Sequence, residues 1–270
     1  MTGQAWSRTV GHAGARAWLL ITCIALISGC AGGQPDPLPG SVSASAHAAV
    51  SPAHAPASSS PPGLDGCLPT AQWEIRAIAD PGGGRLILGI LGSGRKTVIL
   101  SNESDENLCS WLLLARRLTA LGYRVVVWNY GGNEPPGELL ALARWARKHG
   151  AARIVLMGAS EGAKTSLIAA ARLGHAVSGV VSLSAESVLR PGILVIRSVA
   201  RLHCPLLLVT SAGDPYGSAQ AAPEFMTAAP SRDKRLVKVP GTDHGTALLA
   251  GPAAATVLPA VLTFLRRALT

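Results

Sequence analysis

Among residues suited to chemistry, one short string stands out: Gly158-Ala159-Ser160-Glu161-Gly162. A serine hydroxyl becomes a nucleophile only when a base takes its proton, and that base needs a carboxylate to fix its tautomer. A Gly-x-Ser-x-Gly string alone carries little weight; its surroundings give it meaning. Here Ser160 follows a short apolar run over 154–157 and directly precedes a helical pattern over 161–173. A strand-to-helix turn of this kind lifts the serine above the carboxyl edge of a sheet, where open α/β sheets hold ligands. Gly158 and Gly162 carry no Cβ to obstruct the tight turn. The backbone N–H groups at the helix start point toward charge developing on an oxyanion.

A base is then required, and the chain has seven histidines. His12, His47 and His54 lie in the N-terminal stretch, His149 and His175 near helix ends, and His203 at the start of a strand. His244, in Gly241-Thr242-Asp243-His244-Gly245, occupies a loop between the last strand-like run and the last helix, with glycines on both sides to present the ring. For the orienting acid, Asp214 follows the apolar run 206–209, and Glu186 follows the preceding one as the runner-up. Asp243 adjoins His244, and neighbouring side chains seldom reach one another in the needed geometry.

The elements that must position these residues are regular. Residues 73–79 alternate, the turn Asp80-Pro81-Gly82-Gly83-Gly84 follows, and 86–91 completes a hairpin. Apolar runs at 97–100, 125–128, 154–157, 180–183 and 206–209 are too continuous for strands with one wet face. They suit parallel strands buried on both faces. Between them, 107–121, 136–149, 161–173 and 253–269 repeat apolar residues at intervals of three and four. The pattern predicts a doubly wound, mostly parallel α/β sheet with helices on both faces.

With strand, turn, helix and three candidates in the order Ser160, Asp214, His244, residues 73–270 resemble the α/β-hydrolase family, without an obvious cap domain. Tyr130-Gly131-Gly132 is similar to the family's Asp-Tyr-x-Gly turn, with Asn129 in place of Asp. The resemblance implies a Ser-His-Asp acyl transfer: attack by Ser160, an acyl-enzyme, then hydrolysis by water, with no cofactor or metal. One segment departs from the family. Where it has His-Gly-x, this chain has Ser101-Asn102-Glu103-Ser104-Asp105-Glu106-Asn107. By alignment the Glu103 and Glu161 N–H groups would be the oxyanion donors. Acidic side chains beside such a hole oppose it unless they turn away or meet a partner. Most of that acidic run reads as capping of the following helix.

The rest of the sequence bears on location and partners. Arg8, His12 and Arg16 precede an apolar run over 17–27, and Ile27-Ser28-Gly29-Cys30 is similar to a bacterial lipobox. The expected division is a lipoprotein signal peptide over 1–29, lipidated Cys30 with a Pro/Ala/Ser linker to 66, and a hydrolase domain over 67–270. The linker composition cannot bury enough surface to offset its ordering entropy. An extracytoplasmic chain held to the bacterial cell envelope through Cys30 follows. Beyond Cys23 and Cys30, Cys67, Cys109 and Cys204 allow one disulfide; the sequence leaves the connectivity open, with Cys67 and Cys109 the pair preferred. The net charge of +9 is dispersed along helices with no reader motif, which argues against nucleic acid and suits an anionic membrane surface. The function expected is hydrolysis of a carboxylic ester or related acyl bond on a small substrate, with amidase, peptidase and thioesterase activities sharing the same chemistry. The alternative is a non-catalytic binding lipoprotein of the cell envelope, suggested by the unusual segment at 101–103.

Overall fold

The computed structural model of the chain describes residues 66–69 and 71–270. The expected signal peptide, Cys30 and nearly all of the linker lie outside the described residues. The predicted hairpin is present as β1 (Glu74–Ala79) and β2 (Arg85–Leu91), antiparallel and in register from Glu74 opposite Ile90 to Ala79 opposite Arg85. The continuous apolar runs become β3 (Lys96–Ser101), β4 (Arg124–Trp128), β5 (Arg153–Ala159), β6 (Gly179–Leu183) and, after a small hairpin, β9 (Leu206–Ser211). That hairpin pairs β7 (Val188–Leu189) with β8 (Ile193–Leu194), and β10 (Lys234–Val239) forms the far edge of the main sheet. The eight-stranded order is β1-β2-β4-β3-β5-β6-β9-β10, in which β2 alone runs against its neighbours.

The double winding follows from the alternation of side chains along buried strands. In β5, Ile154 and Leu156 face one hydrophobic layer, and Val155 and Met157 face the other. The first layer is closed by α2 (Pro135–Lys148), α3 (Glu161–Leu173) and α5 (Ser218–Ala228), with the short α4 (Ile196–Val199) beside them. The second is closed by α1 (Leu112–Ala120) and α6 (Ala254–Ala268). The helical pattern at 107–121 begins as a 3-10 turn over Leu108–Trp111, whose fully buried Trp111 anchors it before α1 takes over.

Two stretches differ from a simple reading of the pattern. Helix α5 contains Pro223, which removes a helical N–H and interrupts the apolar period, so the sequence shows no clear helix there. The β7–β8 hairpin and α4 fill the segment after β6, where the pattern gave no regular element. Cys67 and Cys109 are joined in a disulfide, and Cys204 is free, its thiol pushed up to about 11 by burial. Among the described residues, no helix is long and apolar enough to cross a membrane.

Candidate active site

Ser160 sits between β5 and α3 with φ 49° and ψ −110°, outside the conformations that serine ordinarily adopts. The turn is held from both sides: Ser160 N–H donates to Leu183 O at 2.9 Å and Ser160 O accepts from Lys164 N–H at 3.1 Å. The two glycines are steric necessities. A Cβ on Gly158 would collide with the Gly162 carbonyl, and a Cβ on Gly162 would collide with the Ser101 carbonyl at the end of β3. Ser160 stands at the N-cap position of α3, yet its hydroxyl makes no capping bond and faces the cleft.

His244 lies between β10 and α6, with Nδ1 2.8 Å from Asp214 Oδ2. Asp214 is buried in the turn after β9, and Tyr216 N–H donates to its other oxygen at 2.9 Å. Burial is the largest influence on this carboxyl and raises its pKa. Bonds from His244, Ser218 and Tyr216 together outweigh it and hold the group below its ordinary value. The loop carrying the histidine is pinned by Ser211 Oγ, which donates to Asp243 O at 2.7 Å, and by Gly245 N–H, which donates to Ser184 Oγ at 3.1 Å. Asp243 takes part through its carbonyl, and Asp214 is the acid that meets His244 Nδ1. The Tyr216 ring lies 4.5 Å from the imidazole, centroid to centroid.

The segment after β3 resolves the question raised by its acidic residues. The Glu103 side chain is buried and accepts from Thr246 N–H at 2.8 Å and Thr246 Oγ1 at 2.6 Å. Its charge is therefore met by donors of the loop that follows His244. Gly245, at φ +55°, has no room for a Cβ because the Glu103 carboxylate occupies that space. Asn102 Nδ2 bridges the carbonyls of Glu103 and Glu106 at 3.0 and 2.7 Å, and Tyr130 Oη donates to Asn102 O at 2.6 Å. Burial raises the Tyr130 phenol far above its usual range, so it stays a donor. Within the run, capping of the next helix falls to Asn107, whose side chain accepts from Cys109 N–H at 2.9 Å, narrower than the capping role expected for most of the run. Asn129, where the family has Asp, accepts from Leu108 N–H at 3.0 Å. Glu103 and Glu161 both line the cleft with Ser160.

Glu186, the runner-up for the orienting acid, meets Ser160 instead, a contact that its spacing did not announce. Its Oε1 accepts from Ser160 Oγ at 3.1 Å and lies 3.5 Å from His244 Nε2, and its Oε2 pairs with Lys164 Nζ. Lys164 also lies 3.3 Å from Glu161 Oε2. Ser160 and His244 thus share one cleft, but Ser160 Oγ bonds to Glu186 rather than to His244. The signal for Glu186 was its position after β6, equivalent to that of Asp214 after β9. The signal for Lys164 was the one charged residue within 162–170, a stretch of α3 that is buried throughout.

Around these groups opens a cleft of about 1010 Å³, lined among others by Asp105, Val188, Arg190, Tyr216 and Gln220. Among the described residues, no group of three or more His, Cys, Asp or Glu side chains is arranged to hold a metal ion.

A parallel sheet bearing a strained serine elbow after its central strand, an acid after a later strand and a histidine after the last is the α/β-hydrolase fold. Solved structures of that fold match the chain. Pyrococcus furiosus esterase Pf2001 superposes with a TM-score of 0.66 at 15% identity, covering 78% of this chain and 98% of that one. Est1E from Butyrivibrio proteoclasticus gives 0.60 at 16% identity over 72% of this chain and 98% of its own. Dienelactone hydrolase from Anabaena variabilis gives 0.61 at 18% identity over 74% and 100%. No protein-family model matches the sequence, and no curated protein matches it.

Proposed function

We propose that the protein is a serine hydrolase that cleaves a carboxylic ester or related acyl bond of a small substrate. The observation that carries this reading is the strained Ser160 elbow sharing a cleft with a His244 ring whose Nδ1 is held 2.8 Å from the buried Asp214. In this reading Ser160 Oγ attacks the acyl carbon, and its proton passes to His244 Nε2 and then to the leaving group. Asp214 fixes the tautomer and stabilises the charged imidazole. The N–H groups of Glu103 and Glu161 receive the oxyanion. Water then repeats the sequence on the acyl-enzyme. Esterase names among the matched structures support the ester over other acyl bonds.

Labelling of the purified full chain by a fluorophosphonate, with Ser160→Ala as control, tests the reading. Labelling that disappears in the variant is expected; a folded wild type that stays unlabelled would overturn it. A second reading, a non-catalytic binding protein on the same scaffold, draws on Glu186 standing between Ser160 and His244. That outcome of the labelling is the one it predicts.

We further propose residues 1–29 as a signal peptide, Cys30 as a lipidated anchor to the bacterial cell envelope, 30–66 as a tether and 67–270 as the catalytic domain. The Cys67–Cys109 disulfide supports an oxidising compartment. Metabolic labelling with a clickable fatty acid should mark the chain and be lost in Cys30→Ala.

A further inference from the structure

The position of Glu186 bears on which acyl groups the cleft accepts, an inference that rests on the hydrolase reading above. An acyl carbonyl poised for attack lies about 3–3.5 Å from the nucleophilic oxygen. Glu186 Oε1 is 3.1 Å from that same oxygen, so substituents one or two atoms from the carbonyl fall within reach of its charge. The surroundings do little to screen it: the side chains of Glu186, His244 and Lys164 are 17%, 14% and 10% exposed. Charges so placed interact more strongly than in open water.

Lys164 does not cancel this charge, because it is shared between Glu186 and Glu161. The three side chains together keep a formal surplus of one negative charge. Asp105 and Arg190 line the same cleft and offset each other. Glu103 is already engaged by Thr246. An anionic acyl group would meet repulsion beside Ser160, and a cationic one would find an acceptor there.

We propose that Glu186 is a specificity-determining residue that selects acyl groups carrying a positive charge close to the scissile carbonyl, with β-amino acyl esters the simplest class. The cation takes Glu186 Oε1, and the carboxylate leaves the line between Ser160 and His244. Ser160 Oγ then bonds to the carbonyl carbon as its proton moves to His244 Nε2. The carbon–oxygen bond to the alcohol breaks as that proton is delivered to the leaving oxygen. Substrate charge and coupling of the nucleophile to its base are thereby linked in one side chain.

The test compares β-alanyl, butanoyl and hemisuccinyl esters of 4-methylumbelliferone on the full chain, with uncatalysed hydrolysis subtracted. A single partly screened ion pair predicts kcat/KM about fivefold higher for β-alanyl than for butanoyl, and a further loss for hemisuccinyl. In Glu186→Gln the β-alanyl to butanoyl ratio should collapse toward about one, since Gln keeps the shape and loses the charge. A wild-type ratio at or below unity overturns the specificity, and so does a ratio unchanged in a folded Glu186→Gln. The wild-type series decides the question even if the variant does not fold. Fluorophosphonate labelling of Ser160 separates the two readings: labelling without charge preference removes this inference alone, whereas an unlabelled Ser160 removes the hydrolase reading and this one with it.

Discussion

Glu103 and Thr246 are 143 residues apart, and the Glu103 carboxylate accepts both the backbone N–H and the hydroxyl of Thr246 at 2.8 and 2.6 Å. The pair ties the exit of β3, beside the serine elbow, to the turn that carries His244. Glu103→Ala leaves the Thr246 donors without their acceptor and opens a space under Gly245. An unsatisfied buried donor costs about 1–3 kcal/mol, and Thr246 is only partly buried, so urea unfolding should show a loss toward the lower end, about 1 kcal/mol. Glu103→Gln retains an acceptor oxygen and should lose less. Because His244 adjoins the loosened turn, kcat should fall in Glu103→Ala by more than KM changes.

Asp214→Asn tests which carboxylate orients the imidazole. Asparagine can present its N–H₂ to Nδ1 and stabilise the wrong tautomer, and the loss in kcat expected from the same change in serine proteases is about 10⁴-fold. Steady-state ester hydrolysis measures it, with circular dichroism to show retained fold. A loss under tenfold in Asp214→Asn, paired with a large loss of neutral-ester hydrolysis in Glu186→Gln, would reverse the two assignments.

The pH dependence of stability follows from the same carboxylate. Asp214 titrates in the native protein below its ordinary value of 3.8, despite the opposing effect of burial. Its ionised form therefore stabilises the fold fully above the unfolded pKa, and the contribution is lost as pH falls through the lower native value. The stability difference between wild type and Asp214→Asn should be larger at about pH 5 than at about pH 3. Paired urea titrations at the two values check the sign; a difference that widens on acidification would contradict it.

Much of the architecture was legible because buried parallel strands and amphipathic helices write different periods. Val155 and Met157 alternate with Ile154 and Leu156 to feed two layers, and that run is continuous in the sequence for this reason. The places of Ser160, Asp214 and His244 were legible because each follows a strand at the same edge of the sheet. Contacts that depend on where a long side chain turns were not. Nothing in the spacing shows that Glu103 turns toward Thr246, or that Glu186 reaches Ser160 while Asp214 takes His244; two acids after adjacent strands look alike until packing separates them. Helix α5 was obscured for a local reason, Pro223 within a run of alanines.

The Cys67–Cys109 disulfide links the segment leading into β1 to the 3-10 turn ahead of α1, across a sequence separation of 42. Leu68 and Trp73 from that segment pack in the same layer as Leu108, Trp111 and Val127, so the crosslink fastens a cover over one face of the sheet. Closing a loop of this length in the unfolded chain removes entropy worth about 4 kcal/mol in the chain-entropy treatment, and measured effects fall nearer about 2–4 kcal/mol. Urea unfolding with and without a thiol reductant should reveal a loss in that range, and Cys67→Ala/Cys109→Ala should reproduce it without reductant. Ser160, Asp214 and His244 are positioned by β5, β9 and the loop after β10, to which the disulfide makes no direct link. Ester hydrolysis well below the lowered melting temperature should therefore persist in the double variant, and its loss there would mean that the cover also shapes the cleft.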